Sequence, residues 1–215
     1  MPDIILRNLP FLLTGLTTTL SLAAWAALWG TLLAVPVALS RYLKIPVAAQ
    51  MCTVYVGFIR GTPLLVVLML FYFAFPALFH YRTSAYPTCI LGFSVFLAAY
   101  CAEDMRAGLL SVPTPLSEAG LALGLTRTQV LARIVLPLAA RVALPALIGQ
   151  YVRMLKYTSV ASILGITELT GAGILINARV FQPVTILGTI SATYLILCLS
   201  ISLAGRWLQR TLAHA

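Results

Sequence analysis

Residues 118–145 read EAGLALGLTRTQVLARIVLPLAARVALP, and Thr114 and Pro115 stand just ahead of them. Thr114 is expected to cap a helix with Pro115 at its first position, where a missing N–H costs nothing. That helix can run to about Leu123, and Gly124 suits the left-handed residue beyond a helix end. Thr126 then opens a second helix, with Gln129 at the spacing of a capping box. The second helix is expected to reach Pro137, whose ring and absent N–H disturb the pattern. Leu116, Ala119, Leu123, Val130, Ile134 and Val135 can form one apolar face, while Arg127 and Arg133 charge the rest. Residues 111–137 therefore read as a compact, polar helical elbow.

The surroundings of this elbow are of another kind. The chain has 215 residues, 61% hydrophobic and only 9% charged, against about 25% charged in a soluble domain. It is expected to be an all-α integral membrane protein, a single transmembrane domain over 1–215, because lipid leaves few other ways to satisfy a backbone. The net charge of +9 does not call for nucleic acid, since Lys and Arg in such a chain mostly mark cytoplasmic loops. Charge-free windows locate spans near 12–39, 61–79, 86–102 and 184–205, each near the roughly 20 residues a helix needs to cross lipid. A fifth, near 143–165, is interrupted by Arg153 and Lys156. The first window lacks a strong basic flank and a cleavage site, so it reads as a retained span.

Five spans put the termini on opposite sides. With the N-terminus outside, nine basic residues fall in the cytosol, from Arg41 to Arg210, against Arg7, Arg82 and Arg179 outside. The orientation is therefore N-out, C-in, with the elbow cytosolic.

Several chemistries are excluded. Cys52, Cys89, Cys101 and Cys198 are scattered without a CxxC pair and read as small apolar residues. His80 and His214 lie near a span end and at the chain terminus, so no metal site is expected. No P-loop, GxSxG elbow or HExxH helix is present. The acids are Asp3, Glu103, Asp104, Glu118 and Glu168, none deep in the four clear spans. The chain is not expected to be an enzyme or to bind a cofactor.

An elbow of this form also suits a DNA-binding helix-turn-helix, but lipid tethers it closely on both sides and it lacks a third helix. An amphipathic hairpin lying on the membrane surface is another reading. A resemblance carries further. Glu118-Ala119-Gly120, Gly124 and Ile134-x-Leu136-Pro137 match the EAA loop of bacterial ABC importer permeases, EAA-x3-G-x9-I-x-LP, apart from Gly120 where Ala is commoner. Phe58 to Leu65, FIRGTPLL, resembles the FxRGTPLL entrance to span two of polar amino-acid permeases. Ala99 to Glu103 with Gly108 and Ser111-Val112-Pro113 is similar to their AYxAExxRGGxxSVP segment. Leu155 to Ser162 resembles their LLKDTSLAS, and Glu168-Leu169-Thr170 their ELT.

The resemblance implies a type I ABC importer permease of the histidine/glutamine permease-like kind, in the bacterial inner membrane. It implies a coupling helix that docks on a separate ATPase. Leu123 and Leu125 would insert as apolar knobs, with Glu118 and Arg127 making polar contacts at the rim. It further implies two cytoplasmic ATPase subunits holding ATP and Mg, a second permease, identical or paralogous, and an extracytoplasmic solute-binding protein. A self-contained channel or secondary transporter is the alternative. Around Arg60-Gly61-Thr62-Pro63, Pro63 biases Thr62 away from helix, Gly57 and Gly61 allow close packing, and Arg60 has the reach to snorkel. Glu103, Asp104 and Arg106 are expected to form an ion-pair cluster. Glu168 with Gly171-Ala172-Gly173 begins an external segment suited to facing the binding protein. Gln150, Arg153, Met154 and Tyr157 share one helical face, and a charge there should face a pathway, a partner or the interface. With no acid on that face, a neutral polar or acidic amino acid is the expected cargo, glutamine or glutamate ahead of arginine or lysine.

Overall fold

The computed structural model describes residues 2–80 and 82–213. His214 lies outside the described residues, and so does the side chain of Asp3. Within them the chain is helical: α1 Pro2–Tyr42, α2 Ala48–Gly61, α3 Leu64–Phe79, α4 Ala85–Leu110, α5 Thr114–Ala122, α6 Arg127–Leu164, α7 Leu169–Val180 and α8 Pro183–Ala213. α1, α4, α6 and α8 are each long and apolar enough to cross a bilayer. α2 and α3 meet at a bend of 112° and make a fifth crossing only if taken as one broken span.

This reverses one sequence expectation. The window at 61–79, clear by its lack of charge, begins at the break, and the helix over 48–61 lies outside every expected span. Pro63 fixes the reason: it holds Thr62 extended, at φ −109° and ψ 134°, so the α2 ladder stops at Gly61. The charge-interrupted window near 143–165 belongs to one continuous 38-residue helix, because Arg153 and Lys156 are both exposed on its surface. α7, at 12 residues, is too short to cross.

Two prolines inside helices are accommodated in the same way. Leu70–Ala74 and Leu131–Val135 are π turns, in which Phe75 N–H bonds Leu70 C=O and Leu136 N–H bonds Leu131 C=O. Each is followed one residue later by a proline, Pro76 and Pro137. A proline ring clashes with the carbonyl four residues back in a regular helix; the wider turn relieves that clash. Hence α6 does not end at Pro137, as expected from sequence, but carries the elbow rigidly into the bundle.

α1 runs along α4, which packs on α6, and α8 packs on α6 and α7. Leu12, Gly15, Thr19, Leu22, Ala26, Gly30, Ala34 and Ala38 form the buried stripe of α1, spaced by three or four as one helix face requires. Its small residues allow the close approach on which association in lipid depends. A Cβ on Gly30 would stand 3.0 Å from Leu97 Cβ. The main core joins this stripe to Phe93, Leu97, Ala98 and Cys101 of α4 and to Met154 of α6. A smaller core gathers Leu12, Leu169, Ile176 and Ile186 at the α1–α7–α8 end. A third, around Leu109, Val130 and Val135, anchors the elbow.

Candidate functional site

The elbow is built by two local devices. α5 ends in a paired-bond cap: Gly124 N–H bonds Leu121 C=O at 3.0 Å and Leu125 N–H bonds Gly120 C=O at 3.1 Å. Gly124 sits at φ +85°, and no atom lies within 4 Å of the place a Cβ would take, so its requirement is for backbone freedom, not space. α6 then starts with a complete capping box. Gln129 N–H donates to Thr126 Oγ1 at 3.3 Å, and Thr126 N–H donates to Gln129 Oε1 at 2.9 Å. The expected cap at Thr114 is not made. Pro113, at φ −60° and ψ 129°, is the residue before the helix, Thr114 makes no capping bond, and Leu116 N–H bonds Pro113 C=O. The start therefore moves by one residue.

The apolar face of the elbow divides in two. Val130 and Val135 are buried and Ile134 half-buried, whereas Leu116, Ala119 and Leu123 are exposed. Leu123 stands 85% exposed. Leu125 does not project beside it: it turns inward against the Leu109–Val130 cluster, so only Leu123 of the two expected knobs protrudes. Glu118 and Arg127 are exposed and make no ion pair among the described residues. Gly120 is buried, and a Cβ there would meet Ile134 Cδ1 at 2.7 Å, so the alanine of the resembled motif would require the end of the Ile134 side chain to shift.

Gln150, Arg153, Met154 and Tyr157 do converge. With Phe96, Leu97 and Tyr100 of α4 they line one cleft, whose free volume is about 10 Å³, room for a single water. Phe96 lies tilted by 35° against Tyr100 with ring centroids 5.0 Å apart, and meets Tyr157 edge-on at 6.0 Å. Met154 is buried, and Gln150 is committed, its Nε2 donating to Asp104 Oδ2 at 2.7 Å. Arg153, exposed, and Tyr157, half-buried, are the groups of this face best able to reach a solute.

That bond corrects the expected Glu103–Asp104–Arg106 cluster. Asp104 is not in it, and Arg41 is. Glu103 Oε2 pairs with Arg41 at 2.5 Å, Oε1 pairs with Arg106, and Arg60 stands 3.9 Å away. Asp104 is one residue, or 100°, further round α4, which turns it to α6. Arg60 lies over the Tyr100 ring at 5.4 Å, linking the Arg60-Gly61-Thr62-Pro63 bend to the cleft wall. Gly57 and Gly61 do not mediate close packing, since nothing lies within 4 Å of a Cβ at either.

Glu168 is the largest departure from expectation. It does not face outward: it is fully buried at the start of α7, with Gly171, Ala172 and Gly173 buried behind it. Its carboxylate accepts from Thr170 N–H at 2.9 Å, Gly171 N–H at 2.8 Å, Tyr194 Oη at 3.0 Å and Thr19 Oγ1 at 3.3 Å. Four donors and a helix N-terminus compensate the charge and tie α1, α7 and α8 together. Sequence reading missed this network because Thr19 and Tyr194 lie 149 and 26 residues away. No group of three or more His, Cys, Asp or Glu residues suited to a metal occurs among the described residues.

The family of binding-protein-dependent transport system inner membrane components matches residues 26–214. The chain belongs to that family. A probable amino-acid ABC transporter permease protein, PatM of Vibrio harveyi, is 40% identical over 76% of this chain and 74% of its own length. The L-cystine transport system permease protein TcyB of Bacillus subtilis is 35% identical over 94% and 87%. The glutamine transport system permease protein GlnP of Escherichia coli is 33% identical over 94% and 93%. Among solved structures, an amino acid ABC transporter with histidines superposes with a TM-score of 0.90 at 28% identity, covering 96% of both chains. The MetNI methionine ABC transporter, at 21% identity and a TM-score of 0.83, shares the fold. The chain is thus a type I ABC importer permease subunit, of a class that works with ATPase and binding-protein partners, and its sequence groups with amino-acid permeases.

Proposed function

We propose that this permease carries neutral polar and acidic amino acids inward, with glutamine or glutamate ahead of arginine or lysine. The observation that carries the reading is the cleft: Arg153 lines it with Tyr100 and Tyr157, no carboxylate does, and Asp104 beyond it is engaged by Gln150. A cationic side chain approaching this face would meet the exposed Arg153 guanidinium and find no anion among the groups lining the cleft. Carboxamide and carboxylate groups would meet donors. Relatives that carry L-cystine and glutamine by name support an amino-acid cargo.

The driving energy comes from ATP and Mg held by two cytoplasmic ATPase subunits. They dock on the elbow through Leu123, Ala119, Glu118 and Arg127, which are exposed together. A second permease, identical or paralogous, completes the pathway, and an extracytoplasmic binding protein supplies the solute. The N-terminus is outside and the C-terminus inside, in the bacterial cytoplasmic membrane.

Proteoliposomes holding the whole assembly test this. ATP-dependent uptake of labelled glutamine is expected, suppressed by excess glutamate and little affected by arginine. Arginine outcompeting both would refute the cargo, and flux driven by a proton or sodium gradient without ATPase would refute the importer. Arg153→Ala should relax the discrimination against arginine; an unchanged preference would remove the cleft from the pathway.

A further inference from the structure

An apolar groove lies at the elbow end of the bundle, between α1, α4 and α6. Its free volume is about 260 Å³, and Val35, Leu39, Met105, Leu109, Leu136 and Ala140 are among its walls. Small side chains create it. A Cβ on Gly108 would stand 2.7 Å from the Ala139 carbonyl oxygen and 2.9 Å from Ala143 Cβ, so α4 and α6 approach closely there. Beside that contact Ala139, Ala140 and Ala143 line the groove and are too short to fill the space toward α1. Protein interiors pack about as densely as organic crystals, so an apolar hollow of this size calls for an occupant.

Length and charge identify it. The α6 wall runs from Leu136 to Leu147, about 16 Å of helix, against about 15 Å for half of a hydrocarbon core. The groove therefore matches the depth of one leaflet, as a single acyl chain does. One end of it lies where α1 and α4 terminate, at Tyr42 and Leu110, and where α6 leaves the elbow. Two exposed cations stand at that end: Arg133, one turn before Leu136, and Lys44, just past the end of α1. Neither makes an ion pair among the described residues. Both side chains have the reach to snorkel to a headgroup. A second copy of the chain is a poorer match for this end, because it too is basic, with 14 Lys and Arg against 5 Asp and Glu.

We propose that the groove holds one acyl chain of an anionic phospholipid, whose phosphate is met by Arg133 and Lys44. Basic residues at the surface end of a pocket between spans attract such headgroups, and the walls supply the apolar contact that the chain needs. The orientation proposed above makes this the cytoplasmic leaflet. The lipid would lie against Leu109 and Ala139 of the cluster that anchors the elbow. Its binding does not depend on which solute the permease carries.

The permease–ATPase complex tests this after reconstitution in nanodiscs of phosphatidylglycerol and phosphatidylcholine in equal parts. The complex is then moved to mild detergent, and mass spectrometry counts the lipid that stays bound. The wild type should retain phosphatidylglycerol in excess over phosphatidylcholine. Arg133→Gln should cut that excess about fivefold, the usual worth of one basic residue at an anionic surface, and Lys44→Gln should act in the same direction. Arg133→Lys should keep most of it. Ala140→Trp, whose indole fills the groove, should lose retained lipid of both kinds. An equal excess in Arg133→Gln and wild type overturns the proposal, as does Ala140→Trp holding as much lipid as wild type. Separation of the Ala140→Trp complex into single permeases, with the excess unchanged in Arg133→Gln, would assign the groove to a second copy and overturn it as well.

Discussion

Replacing Gly124 isolates what the elbow contributes. Its φ of +85° is open to glycine and costs an L-residue about 1–2 kcal/mol, more for a β-branched side chain. Because nothing lies within 4 Å of a Cβ there, a substitution brings no clash to confuse the reading. The penalty is purely backbone, and it acts on the two cap bonds, from Gly124 N–H to Leu121 and from Leu125 N–H to Gly120. If they open, Leu125 leaves the Leu109–Val130 cluster, adding part of a leucine burial of about 1.5–3 kcal/mol. A graded series should result. Gly124→Asn is nearly tolerated, Gly124→Ala raises the population of the open elbow about tenfold, and Gly124→Val raises it further. Hydrogen exchange of residues 114–130 in the purified complex reads the opening, and ATPase co-purification with ATP-driven uptake reads its consequence. Membrane insertion should be unaffected, since the spans are untouched. Protection of Gly124→Val equal to wild type would refute the backbone argument. The expected loss of protection with undiminished ATPase recovery and uptake would refute the docking role.

Glu168→Ala should cost more than any surface change, because it leaves two hydroxyls and two N–H groups without their acceptor at a fully buried site. Loss of about 3 kcal/mol or more is expected, seen as a collapse of the monodisperse complex on size-exclusion chromatography, and a wild-type profile would contradict it. For topology, Leu123→Cys should be labelled by an impermeant maleimide only from the cytosol and Leu175→Cys only from outside. Both positions are exposed, whereas buried Gly120 would be a poor probe, and the opposite pattern would overturn the charge-based orientation.

Much of the fold was legible along the chain because it depends on near neighbours. Three of the span windows, at 12–39, 86–102 and 184–205, follow from where charge is absent, and the capping box of Thr126 and Gln129 from a spacing of three. The turn at Gly124 follows from the one residue that adopts positive φ freely. The shared face of Gln150, Arg153, Met154 and Tyr157 is likewise a property of one helix, and α6 carries it. What failed locally did so by small margins with definite causes: Pro113 moved the α5 start off Thr114, and a π turn let α6 run through Pro137.

Only the tertiary structure could decide which side chain answers which. Asp104 rather than Glu103 meets Gln150, since a turn of 100° along α4 sends adjacent acids to different helices. Arg41 joins Glu103 from 62 residues away. Glu168, exposed to judge by its polar character, is instead the buried tie among α1, α7 and α8. The sequence by itself settles the class of the molecule and the form of its elbow, because hydropathy and capping are summed over adjacent residues. The fate of each charge within the bundle was decided by packing, because burying a charge depends on donors that distant segments bring to it.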